Sequence, residues 1–443
     1  MSDLGNRLLK AALGIDLWLE TTRQNAGSFP GYGGPVVHWW QNCLQYTGAG
    51  LDWRYEGIIT GYLALYRASG DAQWLMKARR AGDDLVAGQL ADGTYYSSVF
   101  EMNPYPGGTP HEAAADNGLL ALANALKNAG DPDWERYVTP AQRNIDAFYI
   151  DRLWDAAAHS FRDHPTQPSF VPNKSATLSE TLFALSALTG DERYAEVYAL
   201  PTLDTLIAHQ RGDGAVFQNS INGQIVGKIF PYYVARCIPA LLQAYRWTQQ
   251  QGSPQQRYLD AAISAGQFIL NIRRGDGSLP QVIYEDGSSN LYLQWVAPLG
   301  DVLRGWTLLA PFGFTADVTP TLEWLLSGQL ATGGIISGRG FGSQISQRSP
   351  PSPPDFRDLI VCGGWIDKAF RYLAEAVEQA QVDFSAAHFS AGIVEQECVV
   401  RGEKVMFYED ENRLELKKSK TPLYRWLKGS SWVEVCAPQL YWK

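Results

Sequence analysis

A repeat of about sixty residues constrains this chain more than any single motif does. A glycine followed by a polar residue recurs at Gly70-Asp71, Gly130-Asp131, Gly190-Asp191 and Gly252-Ser253, and Gly313 continues the series, giving intervals of 60, 60, 62 and 61 residues. Each glycine closes a stretch of helical character. At the C′ position glycine takes the left-handed conformation without a Cβ penalty, and the Asp or Ser behind it can cap the next helix, so each site predicts a tight helical hairpin. A second series marks the far end of the hairpins: GQLADGTYY near Asp92, HQRGDGAVF near Asp213, NIRRGDGSLP near Asp276 and GQLATGGII near Gly333. Weaker members lie near Ser28 and Ser160. Together they predict six hairpins, each a supersecondary unit that needs its neighbours to bury a core.

The two helices of a hairpin differ in character. Stretches that follow the long loops, such as Glu112 to Ala129 and Ser175 to Leu188, are rich in Leu and small residues, whereas those before the loops, such as Trp74 to Leu90, carry more charge. A helix apolar around most of its circumference belongs inside, and one with a single apolar stripe belongs outside. An inner ring wrapped by an outer ring follows. The long loops then gather at the N-terminal ends of the inner helices, where free N–H groups favour negative charge and a cleft is expected.

Composition narrows the function classes. A chain of 443 residues that is 45% hydrophobic and 19% charged can bury a large core. No apolar run reaches the roughly 18 residues of a membrane span, and the first twenty residues read as an amphipathic helix rather than a signal peptide, so a cytoplasmic location is expected. Cys43, Cys237, Cys362, Cys398 and Cys436 are scattered and odd in number, which disfavours a zinc site or a disulfide framework and predicts buried reduced thiols. A net charge of −9 without a basic cluster disfavours nucleic acid and anionic membranes as partners. The 15 Trp, 22 Tyr and 17 Phe exceed what a core needs and suit a cleft that stacks on rings. No cofactor motif is found: GRGFG at Gly338 to Gly342 follows no Rossmann-type strand and lacks a P-loop lysine. Metal-spaced His/Cys clusters are absent too, and loop carboxylates keep Ca²⁺ open as a ligand.

The repeat resembles the (α/α)6 toroids, particularly the six-hairpin glycosidases such as unsaturated glucuronyl hydrolases, with N-acylglucosamine 2-epimerases and toroidal polysaccharide lyases similar in shape. The resemblance spans roughly residues 5 to 380 and rests on the repeat and its Gln-x-x-Asp-Gly turns, with no family-specific catalytic motif beside it. It implies an all-α fold, a toroid over 1–382, and a carbohydrate-active enzyme without a resident cofactor. The same turns resemble the QW repeats of terpenoid cyclases, whose acidic DxDD- or DCTAE-type motif this chain lacks. The architecture hosts several chemistries, so function has to be argued from the residues at the mouth.

The loop-to-inner-helix junctions are WRYEG (Trp53 to Gly57), HEAAADN (His111 to Asn117), NKSATLSE (Asn173 to Glu180), KIFPYYVAR (Lys228 to Arg236), LQWVAPLGDVLR (Leu293 to Arg304) and CGGWIDK (Cys362 to Lys368). Each carries an ionisable group beside an aromatic or small one. Buried helices avoid charge unless it is paired, so the set points to a wet or ligand-filled axis, although capping or pairing explains any single member equally well.

Glycoside hydrolysis needs one protonated and one ionised carboxyl. Glu56, Glu112, Asp116, Glu180 and Asp301 are the candidates, with Asp367 beside them at the substrate. Glu112 and Asp116 are four apart on one helix face, and Asp116, a turn deeper, is the better candidate for a raised pKa. His111 is an acid/base candidate more simply read as a cap. Elimination or epimerisation of a uronic acid, the second expectation, would use a Tyr or Lys base and a cation on the enolate; Lys228, Tyr232, Tyr233 and Arg236 supply both. Arg54 and Arg304 add cations for the substrate, and Trp39, Trp40, Trp53, Trp295 and Trp365 are the sugar platforms. The substrate expected is an oligosaccharide, acidic by preference. A non-catalytic glycan-binding or assembly protein is the reading from a different class.

After residue 382 the composition changes. Residues 383–443 alternate apolar and polar positions with strand-forming Val, Tyr and Trp and read as three or four short strands in an appended β segment, with the charge run Glu409 to Lys420 as a solvated hairpin.

Overall fold

The computed structural model describes residues 3–25, 30–37, 45–47, 49–96, 112–430 and 433–435. Twelve α-helices are found among them: α1 (Asp3–Thr22), α2 (Arg54–Ser69), α3 (Ala72–Ala87), α4 (Glu112–Asn128), α5 (Glu135–Asn144), α6 (Pro172–Thr189), α7 (Leu200–Ala208), α8 (Pro231–Gln250), α9 (Gln256–Asn271), α10 (Leu299–Leu309), α11 (Thr319–Leu326) and α12 (Gly363–Ala380). The even-numbered helices pack in the order α2, α4, α6, α8, α10, α12, and α12 returns to α2 to close a ring. The odd-numbered helices lie outside, α3 on α2, α5 on α4, α7 on α6, α9 on α8 and α11 on α10. The sixth hairpin joins the two ends of the toroid, because α1 packs on α12.

Burial follows the composition. Inner α6 buries residues around its whole circumference, whereas outer α3 buries one stripe, Trp74, Ala78, Ala81 and Leu85 with Gly82 and Asp84 beside it. The hairpin glycines Gly70, Gly130, Gly190, Gly252 and Gly313 have φ of 70, 71, 76, 74 and 84°, the left-handed conformation that ends a helix. Asp71, Asp131 and Asp191 then accept the N–H two residues on, from Gln73, Asp133 and Arg193, at 2.9, 2.9 and 3.1 Å. The fourth junction differs: α9 starts only at Gln256, and Thr248 rather than Ser253 takes the free Gln255 N–H, at 3.0 Å.

The Gln-x-x-Asp-Gly turns have a mechanical role that explains their recurrence. Gln89 donates from Nε2 to Gly93 O in its own turn and to Pro140 O on α5, the next outer helix, at 2.9 and 2.7 Å. Gln210 does the same to Gly214 O and Ala261 O on α9, and Gln329 to Gly333 O and Ala11 O on α1. Each turn therefore clamps one hairpin to its neighbour. In the turn near Asp276 Arg273 replaces the glutamine and reaches Asp317 O instead. The turn glycines sit against the same helices so closely that a Cβ on Gly214 would come within 2.0 Å of Ser264 O, and one on Gly333 within 2.1 Å of Gly14 O. Inside the ring, Gly57 and Gly300 are pressed against the backbone of α12: an added Cβ would meet Asp367 O at 2.4 Å and Lys368 O at 2.2 Å. Small residues on the inner helices thus set how tightly the ring closes.

The C-terminal segment forms a five-stranded antiparallel sheet (Val394–Val400, Glu403–Glu409, Arg413–Lys418, Thr421–Leu427 and Val433–Val435) in sequential order, two strands richer at most than the sequence predicts. It packs on α1. Trp18 Nε1 donates to Glu409 at 3.0 Å, Thr332 Oγ1 reaches the same carboxylate at 3.2 Å, and Lys428 pairs with it at 2.8 Å, both partners 1% exposed. The run Glu409 to Lys420 is therefore not a simple solvated hairpin. Glu409 and Glu415 are buried, because one face of the sheet covers the toroid and its charges must be paired there. Cys237, Cys362 and Cys398 are buried free thiols. No helix among the described residues is long and apolar enough to cross a membrane.

Candidate functional site

All six inner helices send a polar side chain from their N-terminal half toward the axis, and these meet in one web. Glu56, in the first turn of α2, is its centre. Its Oε1 accepts from Asn117 Nδ2 of α4 at 2.8 Å and from Arg236 Nη2 of α8 at 2.5 Å, and lies 3.0 Å from Arg371 Nη1 of α12. Arg236 also sits 2.8 Å from Glu180 of α6 and donates from Nε to Thr177 Oγ1 at 3.0 Å. Arg371 donates from Nη2 to Asp301 of α10 at 2.5 Å. Beside the web Lys368 Nζ donates to Asp367 Oδ2 at 2.6 Å, and Arg304 pairs with Glu375 at 3.0 Å.

The electrostatics follow from this wiring. Burial pushes the Glu56 carboxyl up, but Arg236, Arg371 and Lys368 outweigh it and hold Glu56 well below the usual carboxylate range. Asp301 is lowered in the same way, burial being overcome by Arg371, Lys368 and Arg236. Glu180 goes the other way: burial raises it, and Arg236 offsets only part. Asp367 is fully buried, and burial outweighs Lys368 and raises it to about 7. The web thus holds two firmly ionised carboxylates together with two carboxyls that retain a proton more readily.

A cleft opens over this floor, lined by Glu56, Asp301, Arg236, Thr177 and Ala114 below and by Trp53, Trp365, Tyr232, Tyr233, Asn173, Lys174 and Lys368 around it. The aromatic wall is packed edge to face. Tyr232 lies 5.8 Å from Trp365 and 4.6 Å from Tyr233, and Trp365 lies 5.3 Å from Trp295, which backs it. Trp53 is held by a 2.8 Å bond from Nε1 to Gly364 O. Lys174 donates to Asp163 at 2.7 Å.

Of the residues singled out in the sequence, the fold brings Glu56, Asp301, Arg236, Tyr232, Tyr233, Trp53 and Trp365 to the cleft, with Glu180 and Asp367 behind its lining. Others lie elsewhere. Asp116 is fully buried and accepts from Tyr95 OH at 2.7 Å. Arg54 is engaged with Asp52 at 2.8 Å and Tyr32 O at 2.7 Å. Arg304 is tied to Glu375, Trp295 is a buried support 2% exposed, and Lys228 lines a neighbouring cavity. Trp39, Trp40, His111 and the side chain of Glu112 lie outside the described residues. No group of three or more His, Cys, Asp or Glu that could hold a metal ion occurs among the described residues.

No family model matches the chain, and no curated protein matches it in sequence. Solved structures do. The cellobiose 2-epimerase of Bacillus thermoamylovorans superposes with a TM-score of 0.62 at 13% identity, over 86% of this chain and 100% of the epimerase. The chain has the six-hairpin (α/α)6 fold. An unsaturated glucuronyl hydrolase specific for heparin shares the toroid with a TM-score of 0.59 at 12% identity, over 86% of this chain and 98% of that one. The unsaturated glucuronyl hydrolase of Bacillus sp. GL1 gives 0.55 at 15% identity, over 85% and 95%. The toroid also explains which site residues escape a reading of the sequence. Arg371 lies one helical turn beyond Asp367, and Asn117 lies next to Asp116 on an alanine-rich helix. Lys174 and Lys368 stand within the junctions but beside louder neighbours. The web members that sequence does reveal, Glu56, Glu180, Arg236 and Asp301, are those at the loop-to-helix junctions, whereas Arg371 lies beyond its junction.

Proposed function

We propose that the protein is a carbohydrate-active enzyme that acts on the end of an acidic oligosaccharide in this cleft. The observation that carries the reading is the pairing of an aromatic wall with two lysines, Lys174 and Lys368, that line the cleft and have one recorded carboxylate partner each. An ammonium has three donors. Each lysine therefore keeps N–H groups for a substrate carboxylate while Trp53, Trp365 and Tyr232 supply flat faces for a sugar ring. The free space amounts to about 80 Å³, room for a few waters, so only the tip of a sugar would sit at the floor.

Within that class the electrostatics favour proton transfer beside the carboxylate, an elimination or epimerisation, over two-carboxyl hydrolysis. Both carboxylates that line the cleft, Glu56 and Asp301, are held ionised, and neither serves as the protonated acid that a leaving glycoside oxygen needs. A substrate carboxylate between Lys174 and Lys368 would be stabilised as it takes on enolate character, with Tyr232 or Tyr233 at hand to move the proton. The web of Glu56, Arg236, Arg371 and Asp301 would position this wall rather than react. Hydrolysis keeps one argument, the raised carboxyls of Glu180 and Asp367 behind the lining.

Incubation with uronic-acid oligosaccharides in D₂O, followed by mass spectrometry and ultraviolet absorbance, separates these chemistries. Hydrolysis adds one water across a cleaved bond, elimination cleaves with a new absorbing double bond, and epimerisation leaves the chain intact but labels one carbon with deuterium. Absence of turnover on every acidic oligosaccharide, with binding retained, would instead mark a glycan-binding protein.

A further inference from the structure

The polar floor of the cleft is occupied with itself. Arg236 divides its guanidinium among Glu56, Glu180 and Thr177, and Asp301 is held by Arg371. Thr177 Oγ1 accepts from Arg236 and donates to Asn173 O at 2.9 Å. A ligand that drew on these groups would compete with buried pairs. Its hydrogen bonds have to come from the polar groups around the floor, and these include Lys174, Lys368 and Asn173.

Asn173 stands second in α6, directly after Pro172. An asparagine at a helix start ordinarily caps it, the side-chain oxygen taking a free backbone N–H. Here the cap position belongs to Val171, and no side chain makes the capping bond. The amide of Asn173 makes no hydrogen bond with any described residue, although Asn173 lines the cleft and stays partly exposed. Its Oδ1 is turned into the protein and finds no partner there, which leaves Nδ2 as the end that the cleft can reach. Asn117 on the neighbouring inner helix α4, by contrast, spends its Nδ2 on Glu56 at 2.8 Å. Asn173 thus adds to the cleft wall an amide that neither caps its helix nor ties it to another.

We propose that Asn173 is a specificity-determining residue, whose Nδ2 donates to a hydroxyl oxygen of the uronate unit that Lys174 holds by its carboxylate. The two residues are consecutive in the first turn of α6, and both line the cleft. A carboxylate alone satisfies the lysine. The amide needs an acceptor elsewhere on the same ring, so the pair separates a hydroxylated uronate from other small organic acids. The proposal rests on the sugar reading of the cleft and assigns to one residue the recognition of the ring rather than of its charge.

Titration of the full chain with D-glucuronate and with tetrahydropyran-2-carboxylate tests it, followed by the fluorescence of Trp53 and Trp365 in the cleft wall. The second ligand keeps the ring and the carboxylate but has no hydroxyl. Asn173→Ala should weaken glucuronate binding about threefold to tenfold, the worth of one neutral hydrogen bond, and leave the hydroxyl-free acid within about twofold. Lys174→Met should weaken both ligands alike, by about tenfold or more. Asn173→Asp separates recognition from folding. A carboxylate in the first turn of a helix favours the helix, so this variant should melt no earlier than the unmodified protein. It should nevertheless bind glucuronate more weakly than Asn173→Ala does, because it sets two anions together. Unchanged glucuronate affinity in both Asn173 variants, equal losses for both ligands in Asn173→Ala, or a hydroxyl-free acid bound as tightly as glucuronate would overturn the proposal while the sugar reading stands. If the unmodified protein binds neither ligand, the sugar reading itself fails and takes this role of Asn173 with it. Should Asn173→Asp melt early, Asn173→Ala alone decides.

Discussion

Arg371 brings its Nη1 within 3.0 Å of Glu56 Oε1 at the seam where the ring closes, so the last inner helix is ionically tied to the first. With Nη2 on Asp301 it bridges two buried carboxylates, adding to the charge that Arg236 and Lys368 bring to both.

Arg371→Met should therefore destabilise the protein by about 3–5 kcal/mol, the usual cost of leaving buried charges uncompensated. Arg371→Lys should recover only part, because an ammonium cannot span both carboxylates as a guanidinium fork does. Chemical denaturation measures this, and a loss below about 1 kcal/mol would show that the web is wet rather than buried.

Stability should carry a pH signature from Asp367. Its carboxyl is raised from 3.8 to about 7 in the fold, so the native state keeps a proton that the unfolded chain has lost. That contribution is fully present below pH 3.8 and disappears as pH rises to about 7. Glu56 and Asp301, lowered in the fold, contribute with the opposite sign: present above their ordinary values of 4.5 and 3.8 and lost in acid. The unfolding free energy of Asp367→Asn minus that of the unmodified protein should rise with pH across the window from 3.8 to about 7. A flat difference would mean that Asp367 is ionised throughout.

Ring closure depends on Gly57. A methyl there would come within 2.4 Å of Asp367 O, a backbone atom that cannot swing aside. Gly57→Ala should cost about 1–3 kcal/mol or more from overpacking. Gly275, with nothing within 4 Å of an added Cβ, is the control, and Gly275→Ala should stay within about 0.5 kcal/mol. Thermal melting of the pair compares them directly.

Lys174→Met should lower kcat/KM on an acidic oligosaccharide roughly tenfold to a hundredfold, chiefly through KM, while leaving the affinity for a neutral analogue unchanged. Equal losses on both substrates would remove the lysine from carboxylate recognition and leave it as the partner of Asp163.

How much of this was legible in sequence divides along physical lines. The sixty-residue spacing of capping glycines, the polar turns and the contrast between Leu-rich and charged helices are local properties, set by backbone sterics and helical periodicity, and they determined six hairpins with an inner and an outer ring. They also put Glu56, Asp301, Arg236, Tyr232, Trp53 and Trp365 at junctions that open on one side. What local rules leave open is where a side chain at a junction points and what it meets. Asp116 and Glu56 both stand near the start of an inner helix, yet one accepts from Tyr95 and the other pairs with Arg236 and Arg371. The web itself joins residues as far apart as Glu56 and Arg371. The sequence by itself determined the ring and its polar mouth, through periodicity and capping. Only the tertiary structure decided which carboxylates are paired with buried cations and which are raised by burial, since those depend on distances of a few ångströms between helices remote in the chain.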